Sequence, residues 1–266
     1  MIKNVIKFIS TNSDFFYKHN MIFYYKKHIM SKHITSKHMS KYILKNILNH
    51  TPNTYTQGLV LYNDILYESS GLYSKSFIQK YIDPDNVIRR ALPNDVFAEG
   101  ICILNNILYC LTWVKSEIFA LDLDLNLIYY KKFILDECWG LTTDGKSLIV
   151  TDGSNRIYWI DPSTQTIIKT IETIYTKLNA LAIKQFSPNN YYLYANIYQS
   201  NLIVMIDINN PNISKQWDMT PIANLEPKAD FNENVLNGIV HIPKTDNDFY
   251  ITGKNWDKIY QIELSN

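Results

Sequence analysis

Glycine is scarce in this chain, with eight among 266 residues. Its turns therefore lean on asparagine and aspartate, which bond their own backbone and tolerate the left-handed region. Cysteine is scarcer still. Cys102, Cys110 and Cys138 form an odd set without metal-ligand spacing. Cys102 and Cys110 fall in apolar strand patterns, so buried free thiols are expected and no disulfide framework is. Histidine all but disappears after residue 50, where His241 is the last of six. That scarcity argues against a histidine-based triad and against a three-histidine zinc site. There is no G-x-S-x-G elbow, P-loop or G-x-G-x-x-G fingerprint. Nor is there an apolar run of about 18 residues, the length a membrane-spanning helix needs.

Neither sign of charge dominates, and the formal net charge is +1. The balance hides an asymmetry. Residues 1–50 hold nine lysines and five of the six histidines against one acid, Asp14. Residues 51–266 hold 17 basic and 24 acidic side chains, net −7. A mildly acidic domain is a poor partner for nucleic acid. Residues 1–40 are expected as a basic, solvated and disordered leader. Lys3 and Lys7 interrupt the apolar start that a secretory signal requires, and a lysine-rich, acid-poor leader fits organelle transit as well. The compartment is left open.

Aromatic and β-branched residues are plentiful, which suits strands. The excess of Asn, Ile, Lys and Tyr looks like coding bias. The organising feature is a repeat. Phe97-Ala98-Glu99-Gly100 leads into an apolar strand at 101–104, and the layout recurs around Gly58, Gly140, Ala180 and Gly238. Each small residue opens a short apolar strand, and a polar turn and a second strand follow. The intervals between successive copies are 42, 40, 40 and 58 residues. A period of about 40 with several strands per unit marks a β-propeller blade. The long last interval predicts an insertion over 218–234, which carries Pro221 and Pro227 and lacks alternation.

Two further strands follow in each of the first four units, at 76–82 and 87–92, 118–122 and 127–133, 156–160 and 165–171, and 202–208 and 213–217. The fifth has only 238–241, 248–251 and 258–264. The apolar stretch at 42–48 is expected to supply its missing outer strand and cover an open edge. The prediction is an all-β, five-bladed propeller over residues 41–266, closed by an N-terminal strand and acting as a monomer.

Innermost strands line a propeller's channel, so equivalent positions converge there. The position before each small residue reads Gln57, Glu99, Trp139, Asn179, Asn237. Four residues beyond the anchor of each second strand stand Gly71, Trp113, Asp152, Tyr198, Lys254. Asp152 precedes a glycine and is set aside as a turn residue. The rest make a polar pocket with aromatic walls, the composition of a small-ligand site. Each also has a structural reading. The tryptophans serve as core, the asparagines as turn caps and Lys254 as a surface charge. Their coincidence at shared registers favours a site. Chemistry there falls to Glu99, assisted by Lys254 and amides.

Several motifs then carry a resemblance. They are Tyr-Thr-Gln-Gly-Leu (55–59), Tyr-Glu-Ser-Ser-Gly-Leu-Tyr (67–73), Phe-Ala-Glu-Gly (97–100), Trp-Gly-Leu-Thr-Thr-Asp-Gly (139–145), Ala-Asn-Ile-Tyr-Gln (195–199), Leu-Asn-Gly-Ile (236–239) and Thr-Gly-Lys (252–254). Together they resemble the plant and bacterial type of glutaminyl cyclase, the glutaminyl-peptide cyclotransferases, over about residues 50–264. The resemblance implies a five-bladed propeller without a catalytic metal or other cofactor. It implies Glu99 as the catalytic glutamate and Gln57, Phe97, Trp113, Trp139, Asn179, Tyr198 and Lys254 as pocket residues. Its substrates would be peptides or proteins with N-terminal glutamine, and the family favours a secretory, endomembrane or organelle setting. Tyr55 stands where Phe is usual, Tyr198 where Trp is usual, Ala98 for a common Gly and Ala180 where Glu is frequent. Two other readings stay open. One is a calcium-dependent propeller hydrolase or lactonase using oxygens of Glu99, Asn179 and Asn237. The other is a propeller scaffold without chemistry.

Overall fold

The computed structural model describes residues 39–83, 86–187, 190–230 and 232–265. The leader expected over residues 1–40 therefore lies outside the described residues, except for its last two. Among the described residues no helix is long and apolar enough to cross a membrane.

Five four-stranded antiparallel sheets make up the fold. The first blade is β2 (Thr56–Tyr62), β3 (Ile65–Ser70), β4 (Phe77–Asp83) and β5 (Asn86–Ala91). The second is β6 (Ala98–Leu104), β7 (Ile107–Thr112), β8 (Glu117–Leu121) and β9 (Leu127–Lys132). The third is β10 (Leu141–Thr143), β11 (Leu148–Thr151), β12 (Arg156–Ile160) and β13 (Ile167–Glu172). The fourth is β14 (Leu178–Ser187), β15 (Asn190–Ile197), β16 (Leu202–Asp207) and β17 (Asn210–Asp218). The fifth holds β18 (Leu236–His241), β19 (Asp248–Gly253) and β20 (Lys258–Leu264), and β1 (Tyr42–Asn49) pairs antiparallel with β20 as its outer strand. The segment between β17 and β18 carries a short helix, α1 (Thr220–Ala223). The architecture is a five-bladed β-propeller.

The recurring small residue has a steric cause. Inner strands of neighbouring blades approach backbone to backbone. A Cβ on Gly58 would lie 2.7 Å from the amide nitrogen of Ile101, and one on Gly140 would run into the carbonyl of Asn179. Position along the blade sets burial. All seven residues of β6 are buried, whereas β9 and β13 are mostly exposed.

Apolar clusters fill the seams between blades. The seam between blades 4 and 5 is built on Tyr194, Trp217, Phe249, Trp256 and Tyr260. The seam between blades 5 and 1 is the thinnest among the described residues, with Leu59, Leu66, Val240 and Ile259 as its buried members. Polar groups supplement it. His50, which follows β1, places Nε2 2.9 Å from Glu68 Oε1 on β3 and Nδ1 2.7 Å from the carbonyl of Trp256. Glu68 also accepts hydrogen bonds from Thr56, Gln79 and Tyr81 at 2.7, 2.8 and 2.6 Å. Both ring nitrogens of His50 thus face acceptors, and Glu68 receives only donors. A charged imidazolium on an ionised carboxylate satisfies every partner. Cys102, Cys110 and Cys138 are free and buried.

Candidate active site

The site forms where the inner strands begin. One backbone hydrogen bond recurs there in four blades and fixes which side chains converge. The amides of Gly71, Trp113, Tyr198 and Lys254 donate to the carbonyls of Tyr55, Phe97, Lys177 and Val235 at 2.9–3.0 Å. Each bond holds the exit of a second strand over the entry of the inner strand. In the third blade, Trp139 itself takes that place, its amide donating to Thr151 O at 2.8 Å. Its indole lies over Gly153, whose φ of +79° and missing side chain leave room for it.

The resulting cavity is ≈ 230 Å³ and is lined by Tyr55, Gln57, Phe97, Glu99, Trp113, Trp139, Asn179, Tyr198 and Lys254. Eight of the nine residues singled out in the sequence therefore meet in one place. Asn237 does not line it. Fully buried behind Gln57, it donates Nδ2 to Gln57 Oε1 at 2.6 Å and to Thr56 O at 2.9 Å. That bond fixes the orientation of the Gln57 amide, whose Nε2 then faces Glu99 Oε1 at 3.3 Å. Asn237 is thus the third member of a relay rather than a wall of the pocket. The oxygen set proposed for calcium, Glu99 with Asn179 and Asn237, is not gathered on the cavity surface. Asp152 accepts bonds from Ser154 and Tyr158, as a turn residue does.

Glu99 is 5% exposed, and its Oε2 is buried without a hydrogen-bond partner, as is Oδ1 of Asn179. Burial pushes the Glu99 carboxyl well above the ordinary carboxylate range. The Lys254 charge opposes that rise and the Glu137 charge adds to it. Lys254 is 4% exposed, with its ammonium 4.7 Å from the ring centres of both Tyr55 and Tyr198. Burial lowers its pKa to about 8, against the pull of Glu99 and Glu233. A desolvated carboxyl and a desolvated cation thus share a small aromatic chamber, a pairing characteristic of catalytic sites.

Two contributors escaped the registers read from the sequence. Tyr55 lines the cavity. Glu137 accepts the indole N–H of Trp113 at 2.7 Å and of Trp139 at 2.9 Å. A third register holds both. Three residues before each small residue stand Tyr55, Phe97, Glu137, Lys177 and Val235.

A five-bladed propeller with a buried carboxyl and a cation in an aromatic chamber at the channel mouth has the make-up of an enzyme acting on a small polar group. Comparison with known proteins agrees. A family model described as glutamine cyclotransferase matches residues 20–264. The glutaminyl-peptide cyclotransferase of Arabidopsis thaliana is 31% identical over 223 residues, covering 81% of this chain and 68% of the relative. The crystal structure of Myxococcus xanthus glutaminyl cyclase superposes with a TM-score of 0.74 at 21% identity, covering 87% of this chain and all of that one. At that identity the superposition establishes the fold. The chain belongs to the glutamine cyclotransferase family.

Proposed function

We propose that this protein converts the N-terminal glutamine of peptides or proteins to pyroglutamate with release of ammonia, and that Glu99 carries the proton. In this reaction the α-amine attacks the side-chain amide carbon and closes a five-membered lactam. The C–N bond to the amide nitrogen breaks, and that nitrogen leaves as ammonia. The amine loses one proton and the leaving nitrogen gains one, so a single group serves both steps.

The observation that carries this reading is the unpartnered Oε2 of Glu99, buried in an aromatic chamber beside Lys254. A free α-amine has a pKa of about 7.7–8.0. A carboxyl whose pKa burial raises is better matched to it than an ordinary glutamate. Attack is intramolecular, so a chamber that holds the folded-back side chain removes much of the entropic barrier. Phe97, Trp113, Trp139 and Tyr198 form such walls, and a cavity of ≈ 230 Å³ suits one side chain rather than a large ligand. Lys254 and the Gln57 amide act on the carbonyl oxygen as it gains charge. Asn179 Oδ1 accepts an N–H of the substrate.

The direct test is incubation of the purified chain with short peptides beginning in Gln, following loss of ammonia by mass. Turnover above the buffer rate supports the reading. Peptides that stay intact at every pH tried would sink it.

A further inference from the structure

We propose that Glu137 is a positioning residue for this cyclisation, holding the indoles of Trp113 and Trp139 across the joint between blades 2 and 3. The inference rests on the reaction proposed above.

The cavity is ringed by a nearly continuous series of side-chain contacts. Tyr55 meets Phe97 edge-on at 6.3 Å, and Phe97 meets Trp113 at 5.7 Å. On the far side Trp139 meets Tyr198 edge-on at 5.5 Å, and Lys254 bridges Tyr198 back to Tyr55. The remaining gap lies between the two tryptophans. There the link is a shared acceptor, because Oε1 of Glu137 takes both indole N–H groups. An indole nitrogen only donates, so two of them pointed into one gap require an acceptor. An ionised carboxylate makes those bonds short and strong. In blades 1 and 2 the equivalent position is a ring, Tyr55 or Phe97. In blade 3 it is this carboxylate.

Hydrogen bonds and burial also fix the turn that carries Glu137. Ser116, on the loop that carries Trp113, donates Oγ to the carbonyl of Asp136 at 2.5 Å. The amide of Ser116 in turn donates to Trp113 O at 3.0 Å. Cys138, next in sequence, is fully buried. The tryptophan loop and the glutamate turn are thus tied by the Ser116 hydroxyl as well as by the indoles.

The same charge acts on Glu99. Lys254 from blade 5 favours the Glu99 anion, whereas Glu137 disfavours it. Tyr55 from blade 1, Tyr198 from blade 4, Cys110 within blade 2 and Cys138 at the entry to blade 3 are the other titratable groups that feel Glu99. Removing the charge at 137 while keeping an acceptor should therefore ease ionisation of Glu99.

The experiment compares Glu137→Gln and Glu137→Ala with the wild-type full chain on one N-terminal-Gln peptide. Glu137→Gln keeps a carbonyl oxygen for the indoles. Its KM should stay within about threefold, while the acid limb of its kcat/KM profile moves to lower pH. Glu137→Ala leaves two indoles without an acceptor. Its KM should rise roughly tenfold to a hundredfold, because two walls of the chamber are no longer held in register with the substrate. Its near-ultraviolet indole dichroism should change while its melting temperature stays within a few degrees. Losses of activity that merely follow a falling melting temperature would make Glu137 structural only and overturn the proposal. So would wild-type KM, pH profile and indole signal in both variants. If the wild-type chain cyclises nothing, the reaction is wrong. The indole signal of Glu137→Ala then decides the positioning claim by itself, and an unchanged signal rejects it.

Discussion

Lys254 is the one cation among the residues that line the cavity. Its ammonium is dry and held between two tyrosine rings, so its charge acts on the cavity rather than on solvent. With a pKa of about 8 it is charged at neutral pH and discharges as pH rises past that value. Turnover should therefore fall on the alkaline side around pH 8. Lys254→Ala should lower kcat by about 10²-fold or more, with a smaller change in KM, and should abolish that alkaline limb. A change confined to KM would assign Lys254 to substrate binding instead. Much of this residue-level picture is legible in the sequence, because the inner-strand registers place Glu99, Trp139 and Asn179 on one cavity. Asn237 shares the register of Glu99 yet lies behind Gln57. Its side chain is drawn to the Thr56 carbonyl across the seam, a contact that repeat position does not encode. Glu137 was hidden for another reason. It stands in a polar turn, where an acid reads as a solvated charge until the two indoles beside it are seen.

At the scale of the element, the four-strand unit is legible because small residues recur wherever inner strands meet. What pattern alone does not convey is that the five seams differ. The seam between blades 5 and 1 has the fewest buried apolar residues among those described, and the His50–Glu68 pair sits there. Burial opposes the charged form of both groups. Their mutual attraction and hydrogen bonds prevail, so the His50 pKa is raised and that of Glu68 lowered. The stability from Glu68 is present above its ordinary value of 4.5 and is lost as pH falls through its folded value. The stability from His50 is complete below its ordinary value of 6.5 and is lost as pH rises through its folded value. The pair therefore contributes most between those two pH values. Glu68→Gln sets an amide donor among the donors of Thr56, Gln79 and Tyr81 and leaves His50 without its counter-ion. It should cost about 3–5 kcal/mol, lowering the melting temperature by roughly 10 °C. The deficit should be greatest in that pH window, as thermal melts across pH would measure. A deficit that does not vary with pH would mean that packing, not the charge pair, holds the seam.

For the whole molecule, the question is what the ring needs from the residues before the first blade. β1 supplies the outer strand of the fifth sheet, with Lys45 bonded to Asp248 at 3.0 Å. We propose that this strand closes the propeller and that the catalytic domain begins near residue 41. A chain lacking residues 1–38 should then fold and turn over substrate as the full chain does. A chain lacking residues 1–50 loses β1 and His50 together and should melt lower or fail to fold. Equal melting temperatures for the two truncations would refute closure by this strand. The number of blades was readable from a period of about 40 residues. The borrowed strand was inferred only from a shortfall in the last unit, because a lone apolar octet carries no partner information.

The measurement closest to the central claim is ammonia release from an N-terminal-Gln peptide by wild-type protein and by Glu99→Gln, each with and without EDTA. Gln nearly preserves shape and can still hydrogen-bond, but it cannot take up and return a proton. The account predicts a kcat loss of about 10²–10⁴-fold for Glu99→Gln, with peptide binding and melting temperature preserved. It also predicts no effect of EDTA on the wild type. Near-wild-type turnover by Glu99→Gln, or wild-type turnover abolished by EDTA and restored by Ca²⁺, would contradict it.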